Sequence, residues 1–255
     1  NEGFINTFYL WIHQKLNILN LCNQVQLMNS LKEKGFLYFE NFLEKKNCLD
    51  IESFFDLKFE NIQNNKSTIK IESNSLDKYQ TLNNIEKKIS NFLKKEIDYK
   101  FFLRNIWMIN NNKTNYDNLD RQYKPHIDIK RYLKVFLYIK DVNENDGPLT
   151  VSTNQSPTEN EKKRIAHNLS DNKNDQIEIP STHEYNFLPM IFKAGTIICF
   201  DSNTPHYAGE MRKDGFRKIL RFNYFSTFSK YQNKEFLYDY YKSKLSRLKK
   251  NLFGF

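Results

Sequence analysis

What most constrains the fold of this chain is a change of hydrophobic period near residue 100. Upstream, apolar residues recur at helical spacing: Leu16, Leu19, Val25, Met28 and Leu31 within 4–34, and Leu82, Ile85, Ile89, Phe92 and Leu93 within 81–97. A further helix is predicted over 45–58, and 35–43 reads as a short strand and turn. Downstream the segments are short, β-branched or aromatic, and punctuated by turn residues: 99–110, 132–142, 148–152, 195–201 and 216–226. Helices followed by a run of strands predict an α+β fold whose second half closes as a β-barrel or sandwich. The polar stretch 60–78 reads as loop, and 153–190 as a polar insertion with a helical turn near 159–168. One domain over 1–255 is expected, with 1–98 mainly helical, 99–229 the β core and 230–255 a closing C-terminal helix.

Composition narrows the class. Of 255 residues 39% are hydrophobic, with 22 Phe and 15 Tyr, so a large aromatic core can form. The net charge of +9 comes with Lys and Asn enriched along the whole chain, which makes it a weak pointer to nucleic acid. Cys22, Cys48 and Cys199 are far apart and form no CxxC pair, against a disulfide framework or a structural zinc site. A reducing, cytoplasmic setting is expected, and no apolar run reaches the roughly 18–20 residues that span a bilayer. No membrane partner is predicted, and oligomeric state is not legible.

The chemistry begins at "KPHIDI" (124–129). Residues i and i+2 of a strand share a face, so His126 and Asp128 project together. An imidazole and a carboxylate so placed can take adjacent corners of one metal. Of the other histidines, His13 lies on a predicted helix and His167 and His183 lie in the polar insertion. His206, in "GTIICFDSNTPHYAG", follows a strong strand and is the expected third ligand. Two histidines and one carboxylate leave three positions open, which suits non-haem Fe(II) holding a co-substrate and O2 together. Catalytic zinc more often takes three protein ligands and one water.

Eleven residues beyond His206, Arg217 heads another strand in "DGFRKILRFNYFS". A guanidinium there can grip the distal carboxylate of a dicarboxylate whose other end chelates the metal, as 2-oxoglutarate requires. Arg221 shares its face and is the alternative anchor. Tyr138 and Thr150 are further candidate donors to 2-oxoglutarate. In "FFLRNIWMIN" the alternation puts Leu103, Asn105, Trp107 and Ile109 on one face and Arg104, Ile106, Met108 and Asn110 on the other. Arg104, Trp107, Tyr123 and Lys124 are the candidate substrate contacts.

Taken together, "KPHIDI", "VFLYIKDVNENDGPLTVSTNQS", "AGTIICFDSNTPHYAG" and "GFRKILRFNYF" resemble the phytanoyl-CoA dioxygenase-like (PhyH) family of Fe(II)/2-oxoglutarate oxygenases over roughly residues 100–226. The resemblance implies a double-stranded β-helix, the cupin-like jelly roll, buttressed by N- and C-terminal helices. It implies His126, Asp128 and His206 as iron ligands and Arg217 as the 2-oxoglutarate anchor. Its expected reaction is hydroxylation of a small molecule, anionic or carrier-bound, with release of succinate and CO2. Retention of Asp128 separates the chain from related halogenases. "TNQSP" departs from the family's "GSH" after the GPL turn, so the histidine common there is absent.

Two rival readings remain at this stage. An oxygenase acting on alkylated nucleic acid would share the ligand set, but its paired arginines have five residues between them, whereas Arg217 and Arg221 have three. A non-catalytic jelly-roll binding module would be signalled by a missing ligand, and none is missing.

Overall fold

The computed structural model describes residues 31, 33–60, 67–96, 101–112, 123–168, 174, 176–179, 185–212 and 214–226. The helices expected within 4–30 and 230–252, together with His13, Cys22 and His183, lie outside the described residues.

In chain order the elements are β1 (Phe36–Phe39), α1 (Lys45–Glu60), β2 (Thr68–Glu72), a 3-10 helix (Ser73–Lys78), α2 (Gln80–Glu96) and β3 (Phe101–Asn112). There follow β4 (His126–Asp128), β5 (Leu133–Tyr138), β6 (Leu149–Ser152), α3 (Pro157–Asn168), β7 (Gln176–Glu178) and β8 (Phe187–Pro189). The last three are β9 (Ile197–Asp201), β10 (His206–Ala208) and β11 (Phe216–Ser226). They form two antiparallel sheets, one ordered β1-β9-β5-β11-β3-β2 and the other β7-β4-β10-β6-β8.

The period-2 rule explains how the larger sheet serves two layers. On β5, Leu133, Val135 and Leu137 join Ile51 and Phe55 of α1 and Leu82, Ile89 and Leu93 of α2 in one buried cluster. The alternate residues Phe136 and Tyr138 join Leu149 and Val151 of the smaller sheet in a second cluster. On β9, Ile197 and Cys199 face the helices while Ile198 and Phe200 face the other sheet. The aromatic core anticipated from composition is thus split across both layers.

Two expectations are corrected. The stretch 60–78 is not all loop: "TIKIE" pairs along β3 from Thr68↔Ile109 to Glu72↔Asn105, followed by the 3-10 helix. Its alternation is short and set among Asn and Ser, so it carries little periodic signal. The faces of β3 also differ from the simple alternation. Partners along β11 skip from Asn223↔Asn105 to Tyr224↔Leu103, a β-bulge at residue 104. Leu103 therefore packs in the helical cluster with Ile106 and Met108, while Asn105, Trp107 and Ile109 face the other way.

Candidate metal centre

β4 and β10 are short, buried neighbours in which His126 and His206 are direct cross-strand partners, their ring centroids 4.5 Å apart. Asp128, two residues along β4, lies on the same face. One ligand atom from each of the three side chains falls within 4.8 Å of the others, and all three residues are buried. Local hydrogen bonds hold the arrangement. Asp128 N–H donates to Ser202 O (3.1 Å), and Ser202 N–H to Tyr132 O (2.9 Å). The "FDSNTPH" turn is fixed by Asp201, whose Oδ1 accepts from Asn203 N–H (3.0 Å) and whose carboxylate is gripped by Arg131. Gly35 (φ +80) lies so close to this turn that a Cβ would fall 2.0 Å from Thr204 Oγ1.

Each imidazole is oriented by its Nδ1, which lies 2.7 Å from Lys124 O in His126 and 2.8 Å from Thr204 O in His206. A carbonyl can only accept, so Nδ1 carries a proton in each ring and Nε2 is the atom turned to the site. The two Nε2 atoms lie 3.9 Å and 3.8 Å from Asp128 Oδ1. Atoms at these separations are within reach of one ion with bonds of about 2 Å. Burial, with Lys134 and His126 nearby, holds His206 well below its usual range, so it is a neutral donor. Burial by itself would raise the Asp128 carboxyl, but the charge and hydrogen bond of Lys134 outweigh it and the carboxyl is pulled down to about 2. Two imidazoles presenting Nε2 and one anionic oxygen suit a divalent transition ion.

Lys134 was not anticipated. Its Nζ lies 2.6 Å from Asp128 Oδ2 and 3.3 Å from His206 Nε2, with the side chain buried. A signal did exist: in "YLKVFLYI" it is the basic residue on the same face as Phe136 and Tyr138, in a strand buried on both sides.

The site opens into a cavity of about 470 Å³ walled by His126, Asp128, Lys134 and His206, by Asn105, Trp107 and Ile109 of β3, and by Arg217, Ile219, Arg221 and Asn223 of β11. Arg217 is buried; its Nη1 donates to Gly147 O, and its Nε has no hydrogen-bond partner. The "DGPL" turn is what places it. Asp146 Oδ2 accepts from Asn143 N–H (2.8 Å), Asp146 Oδ1 accepts from Phe216 N–H (2.9 Å), and Gly147 adopts φ 64. Arg221 lies over the Trp107 indole, its Cζ 3.9 Å from the ring centroid. Burial draws its guanidinium down to about 10, so it stays charged at neutral pH. A second cavity of about 520 Å³ runs between α2 and the start of β3, but the metal-binding set found among the described residues is in the first.

The remaining candidates lie elsewhere. Tyr138 is buried between the sheets, its hydroxyl donates to Met190 O (2.9 Å), and burial raises it far above the usual phenol range. Thr150 is buried and its Oγ1 donates to Pro148 O (3.3 Å). Neither lines the cavity. Their strand positions were read correctly, but both hydroxyls are turned onto backbone carbonyls. Arg104, set at the bulge, points to Glu72 (3.7 Å). Lys124 lies 3.9 Å from Glu178 and is exposed, and Tyr123 is also outside the cavity wall. Of the candidate substrate contacts, Trp107 is the one at the site.

An antiparallel two-sheet scaffold with a buried His-Asp-His cluster defines the class of 2-oxoglutarate-dependent non-haem iron enzymes. More particularly, residues 107–219 match the family model of phytanoyl-CoA dioxygenase (PhyH). The cofactors of the class, iron and 2-oxoglutarate, fit the donor set. No curated protein sequence matches the chain. Among solved structures it is similar to the epimerase SnoN in complex with Fe3+, alpha ketoglutarate and nogalamycin RO, at TM-score 0.59 and 12% identity over 80% of this chain and 83% of that one. HygX from Streptomyces hygroscopicus with nickel and 2-oxoglutarate aligns at TM-score 0.56 and 11% identity, over 80% and 87%. The carbocyclase SnoK from nogalamycin biosynthesis aligns at 0.52 and 12%, over 78% and 82%. At such identities the shared property is the fold.

Proposed function

We propose that this protein hydroxylates an unactivated C–H bond of a small molecule, with 2-oxoglutarate converted to succinate and CO2. The single observation that carries the reading is the convergence of His126, Asp128 and His206 on one point of a cavity whose wall also presents Arg217. In this reading those three residues hold the iron, and Arg217 holds the distal carboxylate of 2-oxoglutarate through the donors that Gly147 does not use. Bound iron and 2-oxoglutarate supply the oxidising power. The chain supplies orientation: Lys124 O and Thr204 O set both imidazoles, Asp146 sets the head of β11, and the wall of Phe136, Leu149 and Ile219 limits water around the co-substrate.

The two sheets are read as the jelly roll of this class and 1–255 as one oxygenase domain. Small-molecule ligands of the similar structures, nogalamycin RO in SnoN and hygromycin B in HygX, support a small-molecule substrate here. Free, buried Cys48 and Cys199 accord with a cytoplasmic setting. Among the described residues no helix is long and apolar enough to cross a membrane.

The test is equilibrium binding under nitrogen with Mn(II) in place of Fe(II). Arg217→Ala should weaken 2-oxoglutarate at least tenfold and leave Mn(II) affinity within about twofold. An unchanged 2-oxoglutarate affinity would remove Arg217 from its role.

A further inference from the structure

We propose that the primary substrate carries a carboxylate with a hydrogen-bond donor, an amine or hydroxyl, beside it, and that Arg221 and Asn223 are the residues that recognise this pair. The inference rests on the oxygenase reading above and adds the chemical class of the molecule oxidised.

The first observation is a surplus cation. Five basic side chains, Lys70, Lys130, Lys134, Arg217 and Arg221, line the cavity, against the one carboxylate of Asp128. Lys70 and Lys130 lie at its exposed rim, Lys70 paired with Glu72 at 2.7 Å. Lys134 already pairs with Asp128 at 2.6 Å. 2-Oxoglutarate has one distal carboxylate, so it occupies one of the two arginines. Arg217 and Arg221 are four residues apart on one strand, about 13 Å along the backbone. Their guanidiniums are held on different partners, Gly147 O and the Trp107 ring, so that carboxylate is assigned to one of them. Among the described residues Arg221 makes no ion pair, Asp128 acting on it only through its charge, and its Nε is buried with no hydrogen-bond partner. The Trp107 ring, 3.9 Å from Cζ, holds the guanidinium in place, and its free N–H groups can give two parallel hydrogen bonds to a planar acceptor.

The second observation is the amide pair beside it. Trp107 Nε1 can only donate, and it donates to Asn105 Oδ1 (3.0 Å). That fixes the Asn105 amide, so its oxygen also faces Asn223, whose Nδ2 donates to it at 2.7 Å. Asn223 Oδ1 is consequently presented as an acceptor, buried and without a partner. Asn223 lies two residues from Arg221 on the same face of β11, and both line the cavity. A fork that wants an anion next to an oxygen that wants a donor matches a hydroxy or amino acid. A phosphate would set extra acceptor oxygens against Asn223 Oδ1.

The test uses four probes with one phenyl ring: phenylacetate, phenylacetamide, mandelate and phenyl phosphate. Each is titrated into protein saturated with Mn(II) and 2-oxoglutarate, and Trp107 fluorescence is read, with Trp107→Phe to subtract Trp11. Phenylacetate should bind at least tenfold more tightly than phenylacetamide, and mandelate more tightly again. Arg221→Met should erase the preference for the anion and Arg221→Lys should retain part of it, both keeping 2-oxoglutarate affinity within threefold. Asn223→Leu should remove only the advantage of mandelate. The proposal is overturned if the anion preference survives in Arg221→Met, if phenyl phosphate binds tenfold more tightly than phenylacetate, or if Arg221→Met loses 2-oxoglutarate at least tenfold. If the wild type fails to bind Mn(II) and 2-oxoglutarate, the oxygenase reading fails instead. The comparison of phenylacetate with phenylacetamide on metal-free Arg217→Met protein then still decides the role of Arg221.

Discussion

The ammonium of Lys134 lies 2.6 Å from Asp128 Oδ2 and within 3.3 Å of His206 Nε2, so a protein cation contacts the same donor set that would hold the metal. An incoming ion needs the Nε2 lone pair, and Lys134 must yield it. Lys134→Met is expected to tighten Mn(II) binding about three- to tenfold, since repulsion between Lys134 and the ion disappears. Titration calorimetry with Mn(II) measures this; an affinity unchanged or weakened would show that Lys134 supports the metal.

Asp146 connects the DGPL turn to the strand that carries Arg217 through two backbone N–H groups. Asp146→Ala leaves both donors unmatched in a buried turn, a loss of about 1–3 kcal/mol. Because the head of β11 shifts, the KM for 2-oxoglutarate should rise several-fold while Mn(II) affinity stays within twofold. A purely structural role for Asp146 would lower stability with no change in that KM.

A buried clamp joins the larger sheet to α1: Lys218 Nζ reaches Glu52 Oε1 (2.9 Å) and Asp56 Oδ1 (2.6 Å). Burial alone would lower Lys218, but the hydrogen bonds to Asp56 and Glu52 outweigh it and hold it above its usual 10.5. Burial alone would raise Glu52, but Lys218 and Lys140 hold it below its usual 4.5. A raised lysine contributes stability below its unfolded value, lost as pH climbs past 10.5. A lowered carboxylate contributes above its unfolded value, lost as pH falls below 4.5. The clamp therefore acts between those limits, with Asp56 discounted because its side chain is half exposed. Lys218→Met should cost about 1–3 kcal/mol at pH 7. Urea unfolding should show the gap narrowing as pH drops through 4.5.

Arg104 provides the contrasting case. It lies at the bulge, partly exposed and 3.7 Å from Glu72, away from the cavity wall. Arg104→Ala should leave 2-oxoglutarate turnover within about twofold of the parent. A large loss in steady-state assays would mean that β3 presents the other face to the substrate.

How much of this was legible in the sequence depends on how local each signal is. The HxD pair follows from strand alternation alone, and His206 follows from a strong strand running into a turn. β11 was located residue for residue because eleven consecutive residues carry the pattern. A bulge is a one-residue event with no compositional mark, so the break at Arg104 and the inward turn of Leu103 were unreadable. β2 escaped because two isoleucines amid Asn, Ser and Lys make too short a period. Tyr138 and Thr150 show a different limit: strand and face can be read, but a hydroxyl's choice between ligand and backbone carbonyl depends on loops distant in sequence. Lys134 could have been found, since a lysine in a strand buried on both faces needs a buried partner.

The central claim is that His126, Asp128 and His206 hold one iron on which 2-oxoglutarate is oxidised. Its most direct measurement is succinate formed from 2-oxoglutarate by purified protein, with Fe(II) added, withheld or removed by a chelator. The wild type should form succinate only with Fe(II), and Asp128→Ala and His206→Ala should each lose at least a hundredfold. Succinate formation that persists in His206→Ala, or that is absent from the wild type supplied with Fe(II), 2-oxoglutarate, O2 and mixed hydroxy and amino acids, would contradict the account.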